Sequence, residues 1–147
     1  MASASNISAQ ETAEKSSATM HASDRCADTL NIKIESVGPG QAVVSMIVNQ
    51  AYANGHGFCQ GGIITTLADT AFAHACNSYN RMSVAQGLSI EFVRSAKVGE
   101  RLVATATEKS RGSLTGVYLI EVRNQAHKVV AIMTGKSFAR NETIFED

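Results

Sequence analysis

Most of what this sequence lacks excludes a class of function. No stretch approaches the roughly 18 uninterrupted apolar residues that a membrane helix requires. Thirteen basic and thirteen acidic side chains leave a formal net charge of zero. No basic excess therefore draws the chain to nucleic acid or to an anionic membrane, although a local basic cluster could still hold a phosphorylated ligand. Three cysteines, Cys26, Cys59 and Cys76, are odd in number and widely spaced, which builds neither a disulfide framework nor a metal site. The four histidines, His21, His56, His74 and His127, show no HExxH or related spacing. The first twenty residues have neither the apolar core of a secretory signal nor the arginines of an organellar transit peptide. Residues 1–20 read as a disordered tail, and the chain as cytoplasmic.

What is present is ordinary in amount and specific in pattern. An apolar share of 44% and a charged share of 18% over 147 residues suit a single globular domain with a real core. Residues 23–27 can cap and begin a short helix. Residues 30–37 alternate Leu30, Ile32 and Ile34 with polar positions, the period of a half-buried strand. Gly38-Pro39-Gly40 is a strong turn, and residues 41–48 read as the returning strand. A helix comes after residues 54–62, because Ile64, Leu67, Ala68, Ala71 and Ala75 line one face at helical spacing. Thr66, Asp69, Thr70, Ala73 and Asn77 make a second, small and polar stripe. Residues 83–94, 100–109, 114–123 and 128–138 are strand-like and separated by connections short enough for antiparallel turns. The sum is an α+β arrangement of one central helix and about six mostly antiparallel strands.

Two features carry chemistry. Four glycines fall within residues 54–62, NGHGFCQGG, and lead straight into the helix. Its first amides lack intrahelical acceptors, and with the positive end of the helix dipole they suit a carbonyl oxygen that becomes negative during attack. A phosphate-binding loop would place Lys-Ser/Thr where Ile63 and Ile64 stand. An oxyanion hole at Gly61 and Gly62 fits better, against the plainer reading of a flexible loop with tight helix packing. Asp69 is the second feature, the sole acidic residue between Glu35 and Glu91, set among Leu67, Ala68, Ala71 and Phe72. It is exposed, or paired, or used, since an unpaired buried carboxylate is costly. Eight residues of helix from Gly61 to Asp69 span about 12 Å. If both serve one reaction, Asp69 comes from a second copy whose helix runs antiparallel along the stripe of Thr66, Thr70 and Ala73. A two-fold dimer would then hold two equivalent sites.

The segment NGHGFCQGGIITTLADTAFAHACNS resembles the signature of hot-dog-fold thioesterases, most closely the PaaI-like phenylacetyl-CoA group. The resemblance extends from about residue 19 to residue 140. It implies a hot-dog fold over residues 21–140, with a curved antiparallel sheet wrapped around one helix and a C-terminal tail at 141–147. It also implies a homodimer that pairs into a tetramer, with acyl-CoA as substrate and no cofactor beyond the CoA it carries. The family's catalytic aspartate falls on Asp69, its oxyanion-hole glycine on Gly61, its loop asparagine on Asn54, and a hydroxyl that can hold nucleophile or water on Thr70. Two departures stand out. The family histidine is Gln60 here, which can donate a hydrogen bond but cannot act as an acid. A water-positioning serine of some relatives matches Ala85, with Ser83 or Gln86 as substitutes. For CoA, the turn of Ser110, Arg111, Gly112 and Ser113 offers a cation, amides and hydroxyls to phosphate, with Arg140 at the end of the last strand. Gly62 and Phe92 join the substrate-binding set. Phe58 and Tyr52 suit an acyl pocket or the aromatic core equally, and Lys97 and Lys136 read as solvated charge. His56, His74 and the cysteines read as structural, with Cys59 near His56 the weaker candidate nucleophile.

The activity so implied is hydrolysis of an acyl-CoA thioester, with phenylacetyl- or hydroxyphenylacetyl-CoA ahead of short or medium straight chains. Hydration of enoyl thioesters and non-catalytic acyl-CoA binding are the rival classes.

Overall fold

The glycine-proline turn and the alternating runs set the frame of the computed structural model, which describes residues 6–147. Gly38-Pro39-Gly40 joins β1 (Lys33–Gly38) to β2 (Gln41–Ile47), with Gly40 at φ +70, a backbone that side chains rarely adopt. After a 3-10 turn over Gln50–Tyr52, the long helix α3 (Gly61–Cys76) crosses the sheet. The chain then returns through β3 (Ser83–Phe92), β4 (Arg101–Arg111), β5 (Thr115–Arg123) and β6 (Val129–Ala139). All five strand pairings are antiparallel, in the order β1-β2-β4-β5-β6-β3. This is a hot-dog fold. Because α3 carries the chain from β2 to the far side of β6, β3 closes the sheet as an edge strand.

The expected apolar stripe of α3 is the core. Ile64, Leu67, Ala68, Ala71, Phe72 and Ala75 are buried against β2, β4 and β5. The alanines let the helix axis sit close to the sheet, and the Phe72 ring fills the hollow left by Gly135 on β6.

The expected disordered N-terminal tail needs correction, and the C-terminal tail is a tail held in place. The first five residues lie outside the described residues, but helix α1 (Ala9–Ala22) takes up most of the remaining stretch. Ser8 and Glu11 form a capping box: Ser8 Oγ accepts the Glu11 amide at 3.1 Å, and the Glu11 carboxylate accepts the Ser8 amide at 2.8 Å. This helix reads as a tail because its buried face is only Ala13, Ser16 and Ser17, with no apolar stripe. It docks through polar contacts instead. Gln10 Nε2 donates to the Val37 carbonyl at 2.7 Å, and Ser17 Oγ meets His74 Nδ1 at 2.7 Å in the interior. The next helix, α2 (Arg25–Thr29), is capped by Asp24 rather than Ser23. At the other end, the Arg140 amide donates to the Met82 carbonyl at 2.7 Å and the Met82 amide to the Glu142 carbonyl at 2.8 Å. Asn80, at φ +56, accepts the amides of Ile144 and Phe145, each at 2.9 Å. Lys15 Nζ lies 4.4 Å from the Phe145 ring centroid and so ties α1 to this segment.

Two measurements probe this packing. In Gly135→Ala the new methyl would meet Phe72 ring atoms at 2.9–3.0 Å, so urea unfolding should read a loss of about 1–3 kcal/mol. His74 is 2% exposed, and its Nε2 has no partner among the described residues. Burial, and then the charge of His21, push its imidazole down to about 4 against the upward pull of Asp24. The folded chain requires neutral His74, whereas the unfolded chain takes up a proton near 6.5. The stability from this site is complete above that value and declines as pH falls toward 4. His74→Gln should flatten this part of a stability-against-pH curve.

Candidate active site

Asn54 builds the loop before α3. Its side-chain oxygen accepts the amides of His56 at 2.9 Å and Phe58 at 3.2 Å, and its own amide donates to the Phe58 carbonyl at 2.6 Å. The Asn54 side-chain NH2 has no hydrogen-bond acceptor among the described residues. At the helix start, the Gln60 carbonyl accepts the amides of Ile63 at 3.0 Å and Ile64 at 3.2 Å. Among the described residues no backbone acceptor takes the amides of Gly61 and Gly62, the arrangement an oxyanion requires. Phe92 lies against Gly61 so closely that an added Cβ would sit 3.1 Å from its Cζ. Asn54, Phe58, Gly61 and Phe92 line one cleft of about 440 Å³. The Gln60 side chain does not join them: it is exposed and does not cap the helix. Tyr52 also turns away, packing on the core with its hydroxyl donating to the Leu30 carbonyl at 3.0 Å.

Asp69 opens on a different cleft, of about 480 Å³, shared with Met20, Phe72, Cys76, Met82, Ser83, Ala85 and Ile144 among others. Desolvation pushes its carboxyl above the usual aspartate value of 3.8. Among the described residues none lines both clefts. The helical spacing thus separates the amide end from the carboxylate within one chain.

The structure also sorts the neighbouring hydroxyls. Thr70 Oγ1 donates to the Thr66 carbonyl at 2.8 Å, so it offers a ligand only its lone pairs. Ser83 lines the Asp69 cleft with Ala85, held by Asn77, which accepts the Ser83 amide at 2.8 Å and donates to the Ser83 carbonyl at 3.0 Å. Gln86 sits at the bulge between Ala85 and Gly87 and lies outside that cleft. Of the two substitutes for the missing serine, Ser83 has the placement. Burial disfavours the thiolate of both buried cysteines, pushing the thiol of Cys59 up to about 11 and that of Cys76 up to about 12.

At the β4–β5 turn, the Arg111 guanidinium stacks 3.5 Å over the Tyr79 ring, whose hydroxyl donates to Glu108 at 3.0 Å. The Gly112 amide is committed to the Thr115 carbonyl at 2.8 Å and is not free for phosphate. Ser110 stands beyond a bulge in β4, exposed and outside the hollow formed by Arg111 and Gly112. Arg140 approaches Glu142 at 3.4 Å, a weak surface pair. Sequence reasoning missed Arg81. Its Nη1 donates to the Ser113 carbonyl at 2.6 Å and its Nε to the Arg140 carbonyl at 3.2 Å, bracing the turn against the end of β6. Nothing in its local sequence signals this, because the two carbonyls come from distant parts of the chain. Arg81, Arg111 and Arg140 thus gather at one end, where Cys76 and Ser83 face both this hollow and the Asp69 cleft.

The sequence pattern of the thioesterase superfamily matches residues 56–131, the stretch from the glycine loop into β6. The chain belongs to the thioesterase superfamily. It is 46% identical over 125 residues to the acyl-coenzyme A thioesterase PaaI of Escherichia coli, covering 85% of this chain and 89% of that one. The solved structure of the E. coli PaaI protein, from the phenylacetic acid degradation operon, superposes with a TM-score of 0.91 at 43% identity, over 92% of this chain and 99% of that one. A Streptococcus mutans protein solved with acetyl CoA bound matches with a TM-score of 0.74 at 28% identity, over 77% and 91% of the two chains. This chain is a thioester hydrolase of that superfamily.

Gly61→Ala tests the amide end. Alanine favours helix over glycine, so the fold should hold. The methyl, pressed on Phe92, should displace the bound carbonyl and lower turnover by about 10²-fold, the scale of one lost oxyanion donor. Steady-state thiol release, with circular dichroism as the check on folding, reads both.

Proposed function

We propose that the thioester hydrolysed is an aryl-acetyl-CoA, phenylacetyl or hydroxyphenylacetyl, in two sites shared across a two-fold dimer. The observation that carries the shared site is that Gly61 and Asp69, on one helix, open on clefts with no described residue in common. Two antiparallel α3 helices would bring the amide end of one chain to the carboxylate of the other. The edge strand β3, with exposed Val84, Leu88 and Phe92, offers the surface for that pairing. The family resemblance adds further pairing of dimers into a tetramer, and the reading goes with a cytoplasmic location. Support for the aryl group is the 46% identity to PaaI, joined to Phe58 and Phe92 beside Gly61.

In this mechanism the amides of Gly61 and Gly62 and the helix dipole hold the thioester carbonyl oxygen, with the free NH2 of Asn54 nearby. Asp69 of the partner subunit takes a proton from water, whose oxygen attacks the carbonyl carbon. The tetrahedral intermediate then expels the CoA thiolate, which is protonated to the thiol. In the other route the carboxylate attacks the carbonyl carbon directly and expels the CoA thiolate, and water opens the resulting anhydride to regenerate the carboxylate and release the acid. The lone pairs of Thr70 and of Ser83, whose hydroxyl donates to the Arg81 carbonyl at 3.3 Å, hold the water. Gln60 supplies no acid in either route. Arg81, Arg111 and Arg140 meet the CoA phosphates, and the CoA of the substrate is the sole non-protein group required.

Thiol release across phenylacetyl-, hydroxyphenylacetyl- and straight-chain acyl-CoAs tests the substrate, and a crotonyl-CoA hydration assay tests the rival class. Asp69→Asn should lower turnover by about 10³-fold, within the range of a positioned base. It should not lower stability at neutral pH. A carboxyl raised by burial contributes its stability below the unfolded value and loses it as pH rises through the folded one, so the ionised wild type is the strained form. Near-full turnover in the folded variant would remove Asp69 from the reaction.

A further inference from the structure

The Asp69 cleft has a wall that no strand of the sheet supplies. Met20 comes from α1 and Ile144 from the C-terminal segment, facing Phe72 of α3. Both are large apolar side chains that folding leaves half-buried, and both line the cleft. Each stands outside residues 56–131, the segment that carries the family pattern.

The two pieces are fixed in place, and to each other. Ser17 on His74 sets α1 against α3, Asn80 clamps the backbone at Ile144 and Phe145, and Lys15 over Phe145 joins the pieces. None of these contacts uses the side chain of Met20 or Ile144. Substituting those side chains therefore leaves each of these fixing contacts in place. An apolar ligand entering here would finish their burial, which the hydrophobic effect favours.

We infer that α1 and the C-terminal segment form a size-setting wall of the acyl site, with Met20 and Ile144 deciding how large an acyl group lies beside Asp69. The inference rests on the reading of Asp69 as the reacting carboxylate.

The test uses Met20→Ala and Ile144→Ala, which widen the cleft, and Met20→Phe, which narrows it. Each is assayed by kcat/KM on phenylacetyl-, butyryl-, octanoyl- and dodecanoyl-CoA. The alanine variants should raise the dodecanoyl-to-phenylacetyl ratio by about tenfold or more, and Met20→Phe should lower it, as expected where a few methylenes decide fit. Opposite shifts from opposite changes in size are something a general loss of packing would not produce. Ratios that stay within about twofold of wild type in all three variants overturn the inference, whatever happens to the melting temperature. The same series of acyl-CoAs, titrated calorimetrically into chains that also carry Asp69→Asn, reads the wall without turnover. Size-dependent affinity that tracks Met20 in these chains, with no thiol released by the chains that keep Asp69, would keep the wall and sink the hydrolytic reading. Thiol release with unmoved ratios would do the reverse.

Discussion

Burial of one face of α3 against the sheet is the constraint on which the rest of the molecule depends. Leu67, Ala68, Ala71 and Phe72 fix the rotation of the helix about its axis, and Phe72 over Gly135 fixes its depth. Once that face is committed, the remaining positions have no choice of direction. Gly61 must begin the helix beside Phe92, and Asp69 must emerge toward Cys76 and Ser83. The active groups are placed by apolar packing that none of them takes part in.

That placement sets Asp69 against stability. Its carboxylate gains nothing from the fold that holds it, since burial alone moves its proton affinity. A site built for stability would pair it with a cation, yet among the described residues no arginine lines its cleft: Arg81 holds backbone carbonyls, Arg111 stacks on Tyr79 and Arg140 meets Glu142. A carboxylate left unpaired in a partly dry cleft is a stronger base, the form that the proposed hydrolysis would use.

Much of this was legible in the sequence because it is local. The stripe Ile64, Leu67, Ala68, Ala71, Ala75 declares its face by spacing alone, and Gly38-Pro39-Gly40 declares its turn. The glycine loop and Asp69 were readable for the same reason. What escaped depends on contacts between distant residues. α1 has no apolar periodicity, and its docking rests on Ser17 meeting a histidine that lies far along the chain. The fixed C-terminus depends on Asn80, and the bracing of the β4–β5 turn on Arg81. The commitment of the Gly112 amide and the outward turn of Gln60 are decided by the three-dimensional hairpin and cap, which residue types do not reveal.

The step of eight positions from Gly61 to Asp69 carries a consequence for inheritance as well as for geometry. Where each site draws its amides from one chain and its carboxylate from the other, a chain defective at Gly61 and a chain defective at Asp69 are dead by themselves. Combined in one dimer, they place both defects in the same site and leave the other whole. Two null alleles of this gene would then complement one another, restoring in the mixed dimer about half the capacity of the native pair.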